Sequence, residues 1–389
     1  MTSPVAKLTF WGVRGSTPTV DPATWRFGGN TPCLDFIAPD GTQFVLDCGT
    51  GLRMLGNRWA ASEPAPRPKE THIFVTHYHW DHIQGLPFFA PLYVQQNHFQ
   101  FYSFRSQFLG RDSLRQVFET QMALPYFPVD FSAMSAQRGF RELEGGESFF
   151  IGENKVTARH INHPQGCLGF RIETPAGIIV YATDNEPGDL VLDKNLRELA
   201  AGADIFVNDA QFTPAQLAGP KKGWGHSSWK EGVRIAREVG AKTVALFHHD
   251  PDSSDRVVDG LLRDAREEFD TVFAASEGMV ITLGAAGQPV QAHMPGSRTA
   301  LRREAHFRAV VTGLGADGCK FHEETTVRDL AMQGALILLK HNPRIQSELE
   351  IVMETPGSNG VREMRMRGYV VRAEPSELGT TAVGVVFTD

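Results

Sequence analysis

Apolar and polar positions divide the chain into two stretches of different texture. Through residue 283, short β-rich runs alternate with helical periodicity. Lys7–Val13 reads as a strand running into the turn Arg14-Gly-Ser-Thr-Pro18. Gly28-Gly-Asn30 precedes a second strand, Leu34–Ala38. Gln43–Asp47 is a third, ending at Cys48-Gly-Thr-Gly51, and His72–Thr76 is a short apolar fourth. Residues 91–130 are rich in aromatic side chains, with helical character over Asp112–Met122. Strands recur at Lys155–Arg159, Gly169–Glu173, Ile178–Ala182 and Ile205–Asn208. A helix over Ser228–Val239, a strand Thr243–Phe247, a helix Arg256–Glu268 and a strand Met279–Leu283 complete the stretch. Periodicity alone gives a mixed α/β class. Strands first, helices interleaved, then the same again points to a layered αββα sandwich over residues 1–283.

Residues 284–297 are small, polar and broken by Pro and Gly, which marks a linker. Beyond them the helical signal fades. Phe307–Thr312, Ala335–Leu339, Leu349–Met353, Arg365–Arg372 and Ala382–Phe387 read as strands separated by turns, the pattern of a small β-barrel over residues 298–389.

Composition adds exclusions. The chain has 389 residues, 41% of them hydrophobic and 21% charged, so it can bury full cores without disulfide staples. Cys33, Cys48, Cys167 and Cys319 are widely spaced and read as reduced thiols of a cytoplasmic protein rather than a zinc knot. No apolar run reaches the roughly 18–20 residues of a membrane helix, and no secretory signal is evident. Net charge is −7, which argues against extended nucleic acid as a partner. From Gly296 onward, basic and acidic residues balance, so the deficit falls in residues 1–295.

The densest chemistry is Thr76-His77-Tyr-His79-Trp-Asp81-His82, three imidazoles and a carboxylate just past a strand. These are the ligands that borderline divalent metals prefer. In the extended part His77 and His79 point the same way; after the turn, Asp81 and His82 can face a second ion. Further candidates follow other β-runs: His163, Asp184 and His248.

This set resembles the metallo-β-lactamase superfamily, whose HxHxDH signature is matched in full by His77–His82. Arg14-Gly-Ser-Thr-Pro18, Gly28-Gly-Asn-Thr31, Asp47-Cys-Gly-Thr-Gly51, Asn162-His-Pro164 and Thr183-Asp184 resemble its phosphodiesterase-like branch, which includes ribonuclease Z and class III cyclic-nucleotide phosphodiesterases. The resemblance covers roughly residues 7–283. It implies two divalent ions, zinc before manganese or iron. One ion would take His77, His79 and His163. The other would take Asp81, His82 and His248, with Asp184 between them and His249 the rival for the last place. Two ions about 3.5 Å apart lower the pKa of a shared water. Asp81 and Asp184 thereby enter the chemistry, and His226, in Gly-His226-Ser-Ser228, is the candidate proton donor to the leaving group, against a cap on the helix that starts near Ser228. Arg14 is a candidate phosphate contact, with a structural role in its Gly/Pro turn as the alternative. Phe88, Phe89, Tyr126 and Phe127 are candidates for a lid, against core or a dimer contact.

Residues 298–389 resemble a PilZ domain, which implies cyclic di-GMP as a ligand. Arg298, Arg302, Arg303 and Arg308 stand for its arginine cluster, since a guanidinium grips phosphate and stacks on guanine. Asp329 and Gly334 stand for DxSxxG, although Ala331 replaces the serine. Together these readings imply a phosphodiesterase for a small phosphodiester, a cyclic nucleotide among the candidates, acting as a homo-oligomer, a dimer. The alternatives are a lactonase or thioesterase of the same fold, and a non-catalytic cyclic di-GMP adaptor.

Overall fold

The structure, a computed structural model, describes residues 4–61, 70–284, 291–293, 303–331, 334–357, 360–376 and 379–388. The chain divides into two compact units, residues 1–290 and 291–389. The first unit is the expected αββα sandwich. In one sheet, strands Val280–Leu283, Ala6–Gly12, Cys33–Ile37, Gln43–Leu46, Thr71–Phe74, His98–Phe104 and Gln137–Leu143 lie side by side in that order. The other sheet runs Val272–Ala274, Val244–Phe247, Ile205–Asp209, Gly177–Ala182, Cys167–Thr174, Asn154–Ile161 and Ser148–Ile151.

The inner strands are short and wholly buried: Gln43–Leu46, Thr71–Phe74 and Val244–Phe247 expose no residue. Apolar runs of this kind suit parallel strands covered on both faces. Aromatic rings join the sheets, with Phe10 against Phe247 at 6.1 Å and Phe74 against Phe170 at 5.1 Å. Helices cover the outer faces. Trp229–Val239 and Asp255–Glu268 pack on one through Val233, Ile235, Leu261 and Leu262, and Gly51–Ala61 and Ser113–Gln121 on the other through Leu52, Leu55, Leu114 and Phe118.

Gly177–Ala182, Ile205–Asp209 and Val244–Phe247 pair in parallel, so their carboxyl ends emerge at one edge. Gln43–Leu46 and Thr71–Phe74 are also parallel neighbours. These ends carry Asp184, Asp209, His248, Asp47 and His77.

The aromatic region differs from its expected character. His98–Phe104 and Gln137–Leu143 are sheet strands flanking the helix Ser113–Gln121. Phe99 and Phe101 enter the core, and Tyr102 stacks on Phe74 at 4.4 Å. Phe89 is fully buried between Trp59 and Phe99, which removes it from any lid. Phe88 and Tyr126 are exposed, and Phe127 is half-buried against Phe88. Helices Gly51–Ala61 and Leu190–Ala200 were not anticipated either.

The second unit contains a closed six-stranded barrel: Arg303–Leu314, Lys320–Ala331, Gly334–Leu339, Thr381–Phe387, Gly360–Pro375 and Glu348–Gly357. Its core holds Val311, Val327, Ile337, Leu349, Ile351, Val370 and Val383. Lys320–Ala331 is a strand that the sequence reading left out. Gln291–His293, inside the expected linker, is a short strand.

Candidate metal centre

Three residues reach the site through left-handed backbone at the ends of strands. Asp47, Asp184 and His248 have φ of 64°, 53° and 58°. A non-glycine residue held there is uncommon, and such conformations gather at functional sites. The twist turns each side chain away from the strand direction into the space between the sheets.

Two groups of donors hold the expected ligands, and a third, Asp184, Asp209, His226 and His248, overlaps the second. Ligand-capable atoms of His77, His79 and His163 lie within 4.8 Å of one another, as do those of Asp81, His82, Asp184 and His248. Asp184 faces both groups. Its Oδ2 is 3.5 Å from His77 Nε2, 3.5 Å from His82 Nε2 and 3.7 Å from His163 Nε2, while its Oδ1 is 3.1 Å from His248 Nε2. Asp81 Oδ2 lies 3.3 Å from His82 Nε2 and 3.2 Å from His248 Nε2. His249 points elsewhere: its Nε2 donates to Ala275 O at 2.8 Å and its ring lies against Phe27.

The outward nitrogen of each histidine has a partner that fixes its tautomer. His163 Nδ1 donates to Gly225 O at 2.7 Å, and His248 Nδ1 to Gln211 Oε1 at 2.9 Å. His82 Nδ1 donates to Asp47 Oδ2 at 2.8 Å, and His79 Nε2 to Gln165 Oε1 at 3.3 Å. Thr76 Oγ1 gives its hydrogen to Asp47 and so accepts from His77 Nδ1 at 3.0 Å. Five lone pairs therefore face inward. His163 Nε2 and His79 Nδ1 are 3.1 Å apart, and His82 Nε2 and His248 Nε2 are 3.2 Å apart. His77 Nε2 is buried with no hydrogen-bond partner. Acceptors so close repel one another unless a cation lies between them, so the donor set fits two divalent ions.

The electrostatics agree. Burial opposes charge on His82, yet Asp81, Asp184 and Asp47 hold its pKa well above the usual imidazole value. Burial likewise opposes charge on Asp184, and His248, His82 and His77 hold its carboxyl well below the carboxylate range. A field that retains a proton at His82 is one that suits a metal cation.

His226 stands beside both groups. Its Nδ1 is 2.8 Å from Asp209 Oδ2 and 3.9 Å from Asp184 Oδ2. Burial lowers its pKa, but Asp209 outweighs this, and the value rises to about 9. Asp209 is fully buried, and its Oδ1 accepts from Gln211 N at 2.9 Å. The same short segment thus orients His226 through Asp209 and His248 through Gln211.

Ser16 closes the other side. Its backbone N–H donates to Asp81 Oδ2 at 2.7 Å, and its hydroxyl accepts from Gln211 Nε2 at 3.2 Å. The turn approaches closely because residue 15 is glycine: a Cβ there would sit 2.4 Å from the His248 ring. Arg14 is not a phosphate contact. It is fully buried, and its guanidinium donates to Gly28 O, Asp250 O and Ser253 O at 2.8, 3.0 and 2.6 Å. It fastens three loops behind the site. A cavity of about 510 Å³ opens over the donors, lined by Ser16, Tyr78, His79, Trp80, Gln165, Asp184 and His226 among others.

Asp209 and Gln211 escaped the sequence reading, although Asp209 ends a β-run as Asp184 and His248 follow theirs. Tyr181 donates to Asp47 Oδ2 at 2.7 Å, a contact across 134 residues with no local signal. In the barrel, Arg308, Asp329 and Gly334 lie on strands. Arg298 and Arg302 lie outside the described residues, and only the backbone of Arg303 is described.

Residues 42–249 match the family model described as the beta-lactamase superfamily domain. The chain belongs to the beta-lactamase superfamily. Membership makes it an enzyme, a metal-dependent hydrolase, and the paired donor groups fit the dinuclear centre of that superfamily. Ribonuclease Z of Haloarcula marismortui is 25% identical over 321 residues, covering 70% of this chain and 95% of that protein. Among solved structures, the metallo-beta-lactamase fold protein YhfI of Bacillus subtilis aligns with a TM-score of 0.53 at 21% identity, over 72% of this chain and 99% of its own. A diphosphatase of the PhnP family aligns with a TM-score of 0.51 at 20% identity, over 71% and 96%. These two likenesses establish the superfamily fold.

Proposed function

We propose that this superfamily member hydrolyses phosphodiesters at a two-metal centre formed by His77, His79 and His163 on one side and Asp81, His82 and His248 on the other, with Asp184 shared. The observation that carries the reading is the inward lone pairs, spaced at 3.1 and 3.2 Å and aimed by partners on every outward nitrogen. When bound, two divalent ions activate water and neutralise charge on the phosphoryl oxygens. Zinc suits the nitrogen-rich first group, with manganese or iron as alternatives.

The remaining work falls to the protein. Asp209 keeps His226 charged, so His226 can give a proton to the departing alkoxide. Gln211 and Ser16 hold His248 and Asp81 in register. Ribonuclease Z relatives support phosphodiester chemistry over the lactone and thioester alternatives. They also reopen RNA as a substrate, despite the net charge of −7 that argued against extended nucleic acid.

Hydrolysis of bis(p-nitrophenyl) phosphate, set beside a lactone and a thioester panel, tests the reading. Turnover of the phosphodiester with little on the panel supports it. A metal-loaded chain that cleaves lactones or thioesters and spares the phosphodiester overturns it.

For the second unit we propose a PilZ-like sensor of cyclic di-GMP that acts on this hydrolysis, with Arg298, Arg302, Arg303 and Arg308, Asp329 and Gly334 as contacts. Calorimetric titration of cyclic di-GMP into the full chain, repeated with Arg302→Ala and Arg303→Ala, checks it. No binding to the wild type leaves the barrel a docking module.

A further inference from the structure

The segment before His226 reads Gly219-Pro-Lys221-Lys222-Gly223-Trp224-Gly225. Its backbone is clamped on both sides of the tryptophan. The Glu186 carboxylate accepts from Gly223 N and from Gly225 N, each at 2.7 Å. Gly225 O accepts from His163 Nδ1, one of the inward-aimed imidazoles. Gly225 has φ of 86°, and a Cβ there would fall 2.4 Å from His163. The position of Trp224 is therefore fixed relative to the centre.

Fixed there, the indole stays 56% exposed. It lies against Phe212 at 6.5 Å and 81°, and Phe212 meets His226 at 5.5 Å and 89°. Trp224 is thus two ring contacts from the candidate proton donor. Lys221 Nζ stands 3.8 Å from the indole centroid, and Lys222 beside it is exposed. The cavity over the donors is lined by His226 and by the carboxylates of Asp81 and Asp184; next to His226 in sequence, the segment 221–224 brings positive charge to a partly exposed indole with the Lys221 ammonium over its ring. A large ring held in water by a rigid backbone gains little from the fold; it gains when a flat partner covers it. The ligand chemistry that uses an aromatic plane and an ammonium together is a nucleobase with its phosphate. A sugar or lipid phosphodiester would use the lysines without laying a flat π-ring on the indole.

We infer that Trp224, held by Glu186 and flanked by Lys221, stacks a nucleobase of the substrate, so that the phosphodiester cleaved here belongs to a nucleotide. This rests on the phosphodiesterase reading, which it narrows to a substrate class.

The experiment is calorimetric titration of adenosine 5′-monophosphate and, separately, of ribose 5-phosphate into the metal-loaded full chain, as wild type, Trp224→Ala and Trp224→Phe. Stacking on one aromatic side chain corresponds to about 5- to 150-fold in affinity. The expected result is a weakening of that size for the adenine nucleotide in Trp224→Ala, recovery in Trp224→Phe, and ribose 5-phosphate binding alike in all three. Three results overturn the inference: no nucleotide binding by the wild type, unchanged nucleotide affinity in Trp224→Ala, or equal loss of both ligands, which would make Trp224 a prop for the loop. Bis(p-nitrophenyl) phosphate turnover by the wild type separates the two proposals. If turnover stands and stacking fails, only the substrate class falls. If turnover fails, the phosphodiesterase reading falls whatever the titrations give.

Discussion

Five imidazoles meet in this centre, and the protein spends a separate partner on each: Gly225 O, Gln211, Asp47, Gln165 and Thr76. Such partners orient the ring and raise its basicity, so their loss weakens metal binding by about 10- to 100-fold. Asp209 is different, because its carboxylate bonds to His226 and to the Gln211 backbone and makes no hydrogen bond to the five inward imidazoles. Asp209→Asn should keep both metals and lower kcat by about 10²- to 10⁴-fold. Metal analysis beside steady-state kinetics checks this, and loss of metal would reassign Asp209 to ligand support. Asp35 offers a separate test, remote from the chemistry. Burial raises its pKa to about 6, against a lowering hydrogen bond from Gln43 Nε2 at 2.8 Å. The folded pKa exceeds the unfolded one, so the folded state binds the extra proton and stability falls as pH rises from about 4 to 6. A shift of that size corresponds to about 3 kcal/mol above pH 6. Asp35→Asn, which keeps an acceptor for Gln43, should therefore be more stable than wild type by up to that amount at pH 7 and equal to it below pH 4. Chemical denaturation at the two pH values measures the difference.

Strand ends build the site, and this is also why so much of it was legible. Strands with β-rich, apolar runs announce themselves, and a histidine or aspartate just past such a run lies at a sheet edge. His77, His163, Asp184 and His248 are found that way. The sandwich follows from the same runs. What stayed hidden depends on long-range packing: Tyr181 reaching Asp47, or the aromatic strand His98–Phe104, which reads only as an aromatic-rich stretch until Phe74 and the helix Ser113–Gln121 cover it. Arg14 stayed open between a phosphate contact and a structural role because a turn arginine looks the same in sequence whether it faces solvent or backbone carbonyls. Removing it leaves Gly28, Asp250 and Ser253 carbonyls and the Asp255 carboxylate, 3.6 Å away, without their cation. Arg14→Met should destabilise the chain by about 3 kcal/mol, read by urea unfolding. The neighbouring Gly15 acts on one group alone. Gly15→Ala places a Cβ 2.4 Å from His248, so metal content should fall from two ions towards one, with the His77, His79 and His163 group retained.

At the scale of the whole molecule, the chain holds two compact units, residues 1–290 and 291–389, each with its own apolar core. The donor groups and their supporting partners all belong to the first. A chain ending at Val290 should fold and bind two metal ions as the full chain does, which circular dichroism and metal analysis can check. Among the described residues no helix is long and apolar enough to cross a membrane. The central claim is that two metal ions at this edge of the sandwich cleave a phosphodiester. Its most direct test is a titration of zinc into chelator-stripped protein, following bis(p-nitrophenyl) phosphate hydrolysis and bound metal together, for wild type and Asp184→Ala. The expected result is hydrolysis that rises to a plateau at two ions per chain in the wild type, and a variant that binds fewer ions and cleaves little. A wild type that holds two ions and leaves the phosphodiester intact would contradict the account.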